Sequence, residues 1–450
     1  MSWSSRDSLL LFLAAAIFAI RATLALVIVP PWQHPDEPQN VALIRLLKEA
    51  GSARPLDDLI MRYRGGTRDD PATEPLIVAS MVQHRWWEHY GQPVSDPPPT
   101  TFKAAGAVVG TDFGLPGGGM FYFKAFAAVF RAFGIDAVLP QLYVVRVFSA
   151  ACGLVTLWFA WAASRIAFGT SIAAAVSMVL ALHPQFVLVS TAANPDALVN
   201  VLGAAAWYFA VRCLVGGSML ANGAGLLAAA VAAGLVKRVG VPLLAGAATT
   251  IVFFSGRPIR ERLRIIGVTC VGIVAVALIA WLLAPEEFNR VIASTAFIDE
   301  RWVLGDLSSM RLWRFVAGLL SSAYLSAGWL RHPSPVPLLI VVFIATAIGL
   351  AGVCWGWKRA SAQSRCALAL AAVFTVVQLI ATFAVHFPIG SSAQGRYMFP
   401  VMVPFLALVV AGYSSISVAG SIQARLAVPV LIAAACDVIG WTLVLVPAYG

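Results

Sequence analysis

Two adjacent carboxylates, Asp36 and Glu37, stand in the segment Pro30-Pro31-Trp32-Gln33-His34-Pro35-Asp36-Glu37-Pro38. Proline fixes φ and limits loop freedom. Four prolines and a tryptophan around two acids therefore describe a carboxylate held in place, as a general base must be. An Asp before Pro38 is also a good helix start, but capping alone explains neither the rigid frame nor Glu37. A second polar stretch runs from His183-Pro184-Gln185 to Asn194-Pro195-Asp196, and serves equally as a turn that caps the helix after it. Two further stretches carry cations, Lys237-Arg238 and Gln394-Gly395-Arg396-Tyr397. A glycine before arginine lets backbone and guanidinium approach a ligand closely, and arginine suits bidentate recognition of phosphate. Each cationic stretch alone reads as a basic anchor at a helix start. Two of them on the face that carries the carboxylates favour an anion site.

The elements that hold these residues are set by composition. The chain has 450 residues, of which 60% are hydrophobic and 12% charged, and a mean hydropathy of +0.83. A soluble chain carries about twice that share of charge, so an ordinary cytosolic enzyme, a disordered chain and a fibrous repeat are excluded. A membrane-crossing helix needs about 20 apolar residues. Eleven runs qualify, near 8–30, 140–163, 170–190, 196–216, 219–236, 239–255, 265–284, 336–356, 366–387, 397–417 and 426–447. The first resembles a signal peptide, but it contains Arg21 and ends in Val29-Pro30-Pro31 without a small-residue cleavage site, so we read it as an uncleaved anchor.

With the N-terminus inside, the inner loops hold Arg165, Arg212, the basic run 257–264, Lys358, Arg359, Arg365 and Arg425, as the positive-inside rule requires. The net charge of +10 is thereby a matter of topology, and nucleic acid is not expected as a partner. Lys237 and Arg238 break the rule locally. The architecture expected is one all-α polytopic membrane domain over 1–450, with a large first outer loop at 31–139 and a second at 285–335. In the first loop, periodicity predicts a helix over 38–50 and an interfacial helix over 118–134. Residues 54–116, rich in Pro, Gly and Asp, read as an irregular substrate-sized loop. In the second, Leu312–Leu320 is amphipathic, and Tyr324–Leu330 reads as an aromatic belt. The six cysteines show no metal spacing and read as small apolar helix residues.

Acids and cations thus meet on one membrane face. A phosphate borne by a membrane lipid would sit against the cations, with its sugar toward the loop. A carboxylate would take the proton of an acceptor hydroxyl while the cations stabilise the departing phosphate. An outer-face polymerase or ligase of lipid-linked glycans would share the cations and depend less on Asp36. A transporter would need polar residues through the membrane middle. There the spans hold few charges, chiefly Arg21, Arg146 and Asp437.

At Pro35-Asp36-Glu37, Asn194-Pro195-Asp196 and Gly395-Arg396-Tyr397, in that order over nearly the whole length, the chain resembles bacterial multipass proteins of the type-C glycosyltransferase (GT-C) superfamily, in the subgroup marked by these motifs. The resemblance implies a GT-C-like fold of about eleven spans, with interfacial helices capping a site on the periplasmic face of the cytoplasmic membrane. It implies a polyprenyl-phosphate-linked sugar donor and a glycan or lipid acceptor. It puts the base on Asp36, with Glu37 second. By location, Lys237, Arg238 and Arg396 fall to the donor phosphate. His34, Asn194, Asp196, Gln394 and Tyr397 fall to the substrate. Some relatives hold a divalent metal near the first-loop acids, where His34, Asp36 and Asp196 would be the ligands at hand; no cofactor is assigned on this ground. Sugar identity and oligomeric state are not fixed by the sequence.

Overall fold

The structure is a computed structural model that describes residues 5–50, 74–89, 120–216, 218–253, 309–327, 332–386, 394–416 and 421–449, with 260, 267 and 271 singly. Helices dominate. They are α1 (Ser5–Ile28), α2 (Glu37–Ala50), α3 (Glu74–Gln83), α4 (Trp86–His89), α5 (Phe121–Ala132), α6 (Val138–Phe168), α7 (Thr170–Leu182), α8 (Pro184–Val189), α9 (Asp196–Leu214), α10 (Met219–Val236), α11 (Pro242–Phe253), α12 (Ser309–Tyr324), α13 (Val336–Gly356), α14 (Ala362–His386), α15 (Met402–Ser415), α16 (Ile422–Gly440) and α17 (Val446–Tyr449). Short 3-10 turns, Arg238–Gly240 and Gly395–Val401, lead into α11 and α15. A two-residue antiparallel pair sets Ser326 against Pro333 and Ala327 against His332.

Among the described residues, eight helical segments are long and apolar enough to cross a membrane: α1, α6, α9, α10, α13, α14, Gly395–Ser415 and Ile422–Tyr449. The chain is a multi-pass, all-helical membrane protein. Apart from residues 267 and 271, the expected run at 265–284 lies outside the described residues, as do most of the inner basic run and Cys270. The expected span 170–190 is two helices. Pro184 offers no N–H and drives His183 out of the helical region, to φ −75, ψ 110. The ring Nδ1 of His183 then accepts the Phe186 N–H at 3.2 Å and caps the shorter helix. Of the expected span 239–255, the described residues show the twelve of α11 after a short 3-10 turn.

Among the described residues, two large apolar cores stand beside a small cluster around Phe315 and Leu319. The larger unites the spanning helices around Phe18, Leu157, Trp207, Phe374 and Leu445. The smaller is a cap of α2, α3, α4 and α5 on the start of α6, centred on Trp32, Ile44, Trp86, Phe123 and Phe130. Helix α2 is buried over most of its surface, Val41, Leu43, Ile44 and Leu47 included, so it is more than the one-sided helix its periodicity suggests. Two helices, α3 and α4, replace part of the loop expected to be irregular, because Ile77, Val78, Met81, Trp86 and Trp87 supply an apolar face for the cap. Basic residues fasten the cap: Arg45 donates to the Gln141 side chain at 2.8 Å and to the Asp136 carbonyl at 2.7 Å, and Arg131 donates to the carbonyls of Leu47 and Lys48.

Two opposite charges within the spans pair with each other. Arg21 of α1 meets Asp437 of α16 and lies over the Trp441 ring, where the helix passes through a π turn at Trp441–Leu445. At the opposite end of the bundle from the cap, Asp7 bonds Arg165 at 2.8 Å and Thr170 at 2.9 Å, tying the starts of α1 and α7 to the end of α6.

Candidate active site

The loop from Val29 to Asp36 connects α1 to the cap, and it is held in a strained shape. Trp32 and Asp36 both have positive φ, at 73° and 71°. Outside glycine such a conformation costs on the order of 1–3 kcal/mol and persists only where the surroundings impose it. Here the Trp32 indole N–H donates to Ser80 at 3.1 Å, and the Trp32 carbonyl accepts the Trp86 indole N–H at 2.9 Å. Glu37 is fixed more firmly still. Its two oxygens take the Arg146 guanidinium at 2.8 and 2.7 Å, and Oε1 also accepts the Ala193 N–H at 3.0 Å. Arg146 further donates to the carbonyls of Val29 at 3.0 Å and Pro30 at 2.9 Å. One buried guanidinium therefore closes the loop between its two ends.

Asp36 faces the other way. Its Oδ2 accepts from Arg396 at 2.7 Å and from the Asn194 amide at 3.1 Å, and its Oδ1 accepts from Gln39 at 3.3 Å. Its carbonyl accepts the Asn40 N–H at 3.0 Å, so the backbone starts α2 while the carboxylate reaches across to Arg396 and Asn194. Asn194 also accepts from Lys237 at 3.4 Å and from the Asp196 N–H at 3.0 Å. Asp196 completes the cluster with Lys237 and with Arg396 at 3.5 Å. Residues separated by up to 360 positions thus converge at one end of the bundle. The Asp36 side chain is 31% exposed, whereas those of Glu37 and Arg146 are at 0%, so of the two adjacent acids only Asp36 is reachable.

Burial pushes the Asp36 carboxyl up, but the charges of Arg396 and Lys237, with hydrogen bonds from Arg396 and Asn194, outweigh it and hold the group below the ordinary carboxylate range. At Glu37 burial is likewise outweighed, by Arg146 first. Burial dominates at His34, where it lowers the ring to about 4 against a smaller opposite effect of Glu37. His34 is therefore neutral at pH 7.

The remaining expected residues fall around this cluster. His34, Gln33, Asn194, Asp196 and Arg396 line a narrow cavity with Gln185 and Tyr449. Gln394 precedes the 3-10 turn that carries Arg396, and Arg396 lies over the Tyr397 ring, 5.8 Å from its centroid. Arg238 begins the other 3-10 turn, next to Lys237. Gly395 has a different use from the one expected: a methyl group there would overlap the Ala323 backbone, so the close approach it permits is to α12. Its N–H donates to Ser322 at 2.7 Å. Beside Gly395 opens an apolar cavity of about 360 Å³, lined by Tyr324, Met398, Phe399, Met402 and Phe405 among others. Among the described residues no group of three or more His, Cys, Asp or Glu stands ready for a metal.

Sequence reasoning missed Arg146 and Gln33. Arg146 carried a signal, since an arginine in an apolar run needs a buried acid; Gln33 carried none beyond its place beside His34.

Residues 121–283, just over a third of the chain, match the profile of a family described as dolichyl-phosphate-mannose-protein mannosyltransferase. No curated protein matches the sequence. Among solved structures, the Archaeoglobus fulgidus oligosaccharyltransferase, in a complex with Zn and sulfate, aligns over 98% of this chain and 53% of its own, at 13% identity and a TM-score of 0.46. This chain thus spans about half the length of that one. The profile match covers Arg146, Asn194, Asp196, Lys237 and Arg238.

Proposed function

We propose that this protein is an inverting glycosyltransferase of the GT-C kind, working on the outer face of a bacterial cytoplasmic membrane. It moves a sugar from a polyprenyl-phosphate donor to a glycan or lipid acceptor of the cell envelope. The observation that carries the reading is the juxtaposition of a reachable carboxylate, Asp36, with a phosphate-type cation, Arg396, at 2.7 Å, next to an apolar cavity of about 360 Å³ that suits the first part of an isoprenoid chain.

In the free protein Arg396 is bound to Asp36 and Lys237 to Asp196. A donor phosphate competes for both cations. As it draws the Arg396 guanidinium away, Asp36 loses the neighbour that holds its carboxyl low, and it becomes a better base. The acceptor hydroxyl gives its proton to Asp36 as its oxygen bonds the anomeric carbon. The bond from that carbon to the phosphate oxygen breaks, and the electron pair leaves on the phosphate, where Arg396 and Lys237 stabilise it. Asn194 holds Asp36 in line. Glu37, sealed against Arg146, is a positioning residue in this scheme.

The test is incubation of the purified protein, in lipid nanodiscs, with labelled polyprenyl-phosphate sugars and an envelope glycan extract. Transfer or release of sugar by the wild type, lost in Asp36→Asn, is the expected result. Equal turnover by both proteins would remove Asp36 from the mechanism, and wild-type protein that neither turns over nor binds any donor would sink the glycosyltransferase reading.

A further inference from the structure

The narrow cavity beside the ion cluster is lined by Gln33, His34, Gln185, Asn194, Asp196 and Arg396. Gln33 is 1% and His34 4% exposed. Both side-chain polar atoms of Gln33 and Nε2 of His34 are buried without a hydrogen-bond partner. Leaving such a group unsatisfied is costly, and three such atoms around one cavity indicate a polar guest.

The types of these atoms say which guest. Gln33 brings two donors and an acceptor, and Nε2 of His34 a donor or an acceptor according to its tautomer. A phosphate, which accepts alone, would set its charge against the Gln33 carbonyl, and the Arg396 guanidinium in this lining is already shared by Asp36 and Asp196. A hydroxyl group donates and accepts, and matches the set. The space open to the centre of a water-sized sphere is about 20 Å³, room for one water or one hydroxyl but not for a whole ring.

We infer that this cavity is a hydroxyl-reading subsite, in which Gln33 and His34 bind one hydroxyl-bearing edge of a sugar whose ring lies toward Asp36. The inference rests on the glycosyltransferase reading and adds to it the residues that select the sugar.

Saturation-transfer NMR in nanodiscs, with methyl glycosides of common hexoses and pentoses and their monodeoxy analogues, tests the subsite without any turnover. In the wild type, at least one glycoside should give a signal that falls about tenfold or more when a single hydroxyl is removed, the size of one net hydrogen bond. Gln33→Met keeps the side-chain volume and breaks no hydrogen bond seen here; it should abolish that discrimination. His34→Phe should weaken it in the same direction. Helical content and thermal unfolding of the variants, if unchanged, exclude misfolding as the cause. Unchanged discrimination in folded Gln33→Met, or no glycoside binding by protein that does bind polyprenyl phosphate, would overturn the subsite. Donor turnover with unaltered deoxy-sugar selectivity in Gln33→Met would overturn it too, while leaving the reaction in place. Discriminating glycoside binding without transfer from any donor would keep the subsite and remove the reaction.

Discussion

Asp36 and Glu37 share a sequence motif and have opposite circumstances. One is a third exposed and held by exchangeable cations; the other is sealed in a bidentate pair. Asp36→Asn should lower turnover by about 10²–10⁴-fold, the usual worth of a general base, with protein yield and unfolding temperature unchanged; product formation per enzyme measures it. Arg396→Gln should move the acid limb of kcat/KM to higher pH. Asp36 acts ionised, so activity is lost as pH falls through its pKa. Removing Arg396 leaves the upward push of burial less opposed, and that pKa rises. An acid limb that stays put would show that Asp36 is not the titrating base. Arg146→Met leaves Glu37 buried without its partner and should cost about 3–5 kcal/mol of stability, read from thermal unfolding. The double variant Glu37→Met with Arg146→Met should recover much of that stability but not turnover, because the loop carrying Asp36 loses the staple at both its ends.

At the scale of elements, the site is assembled from interruptions in helices. Asp36 follows α1, Asn194 and Asp196 follow the break at Pro184, Lys237 ends α10, and Arg396 rides on a 3-10 turn before α15. A continuous helix spends its backbone groups on itself, so such breaks at membrane depth survive only where protein satisfies them. Gly395 is the clearest case, since its lack of a side chain seats the Arg396 turn on α12. Gly395→Ala should push that turn off Ala323 and draw Arg396 away from Asp36. We expect turnover to fall at least tenfold while helical content is kept, as circular dichroism and the activity assay together report; full activity would mean that the turn has slack.

For the whole molecule, the cap and the ion cluster stand at one end and the Asp7–Arg165 pair at the other. Positive-inside counting assigns the cap to the outside. In cells, on a background with Cys354 and Cys366 replaced by serine, Gln83→Cys should react with a membrane-impermeant maleimide. Ser361→Cys, between α13 and α14, should react only after the membrane is opened. The reverse pattern would invert the topology and put the site in the cytoplasm.

The sequence by itself determined most of the architecture and which residues gather in the ion cluster. Twenty-residue apolar runs have few outcomes in a bilayer, and a short polar motif between two such runs must lie at a membrane surface. Asp36, Asn194, Asp196, Lys237 and Arg396 were legible for that reason. Which partner each takes was not, because ion pairing depends on how helices rotate and pack over separations of 41 to 360 residues. Only the tertiary structure gave Glu37 to Arg146 and Asp36 to Arg396, turned the two neighbours in opposite directions, and gathered unpaired polar atoms around Gln33. The division follows from range: hydropathy and proline act along the chain, whereas burial and Coulomb attraction act across it.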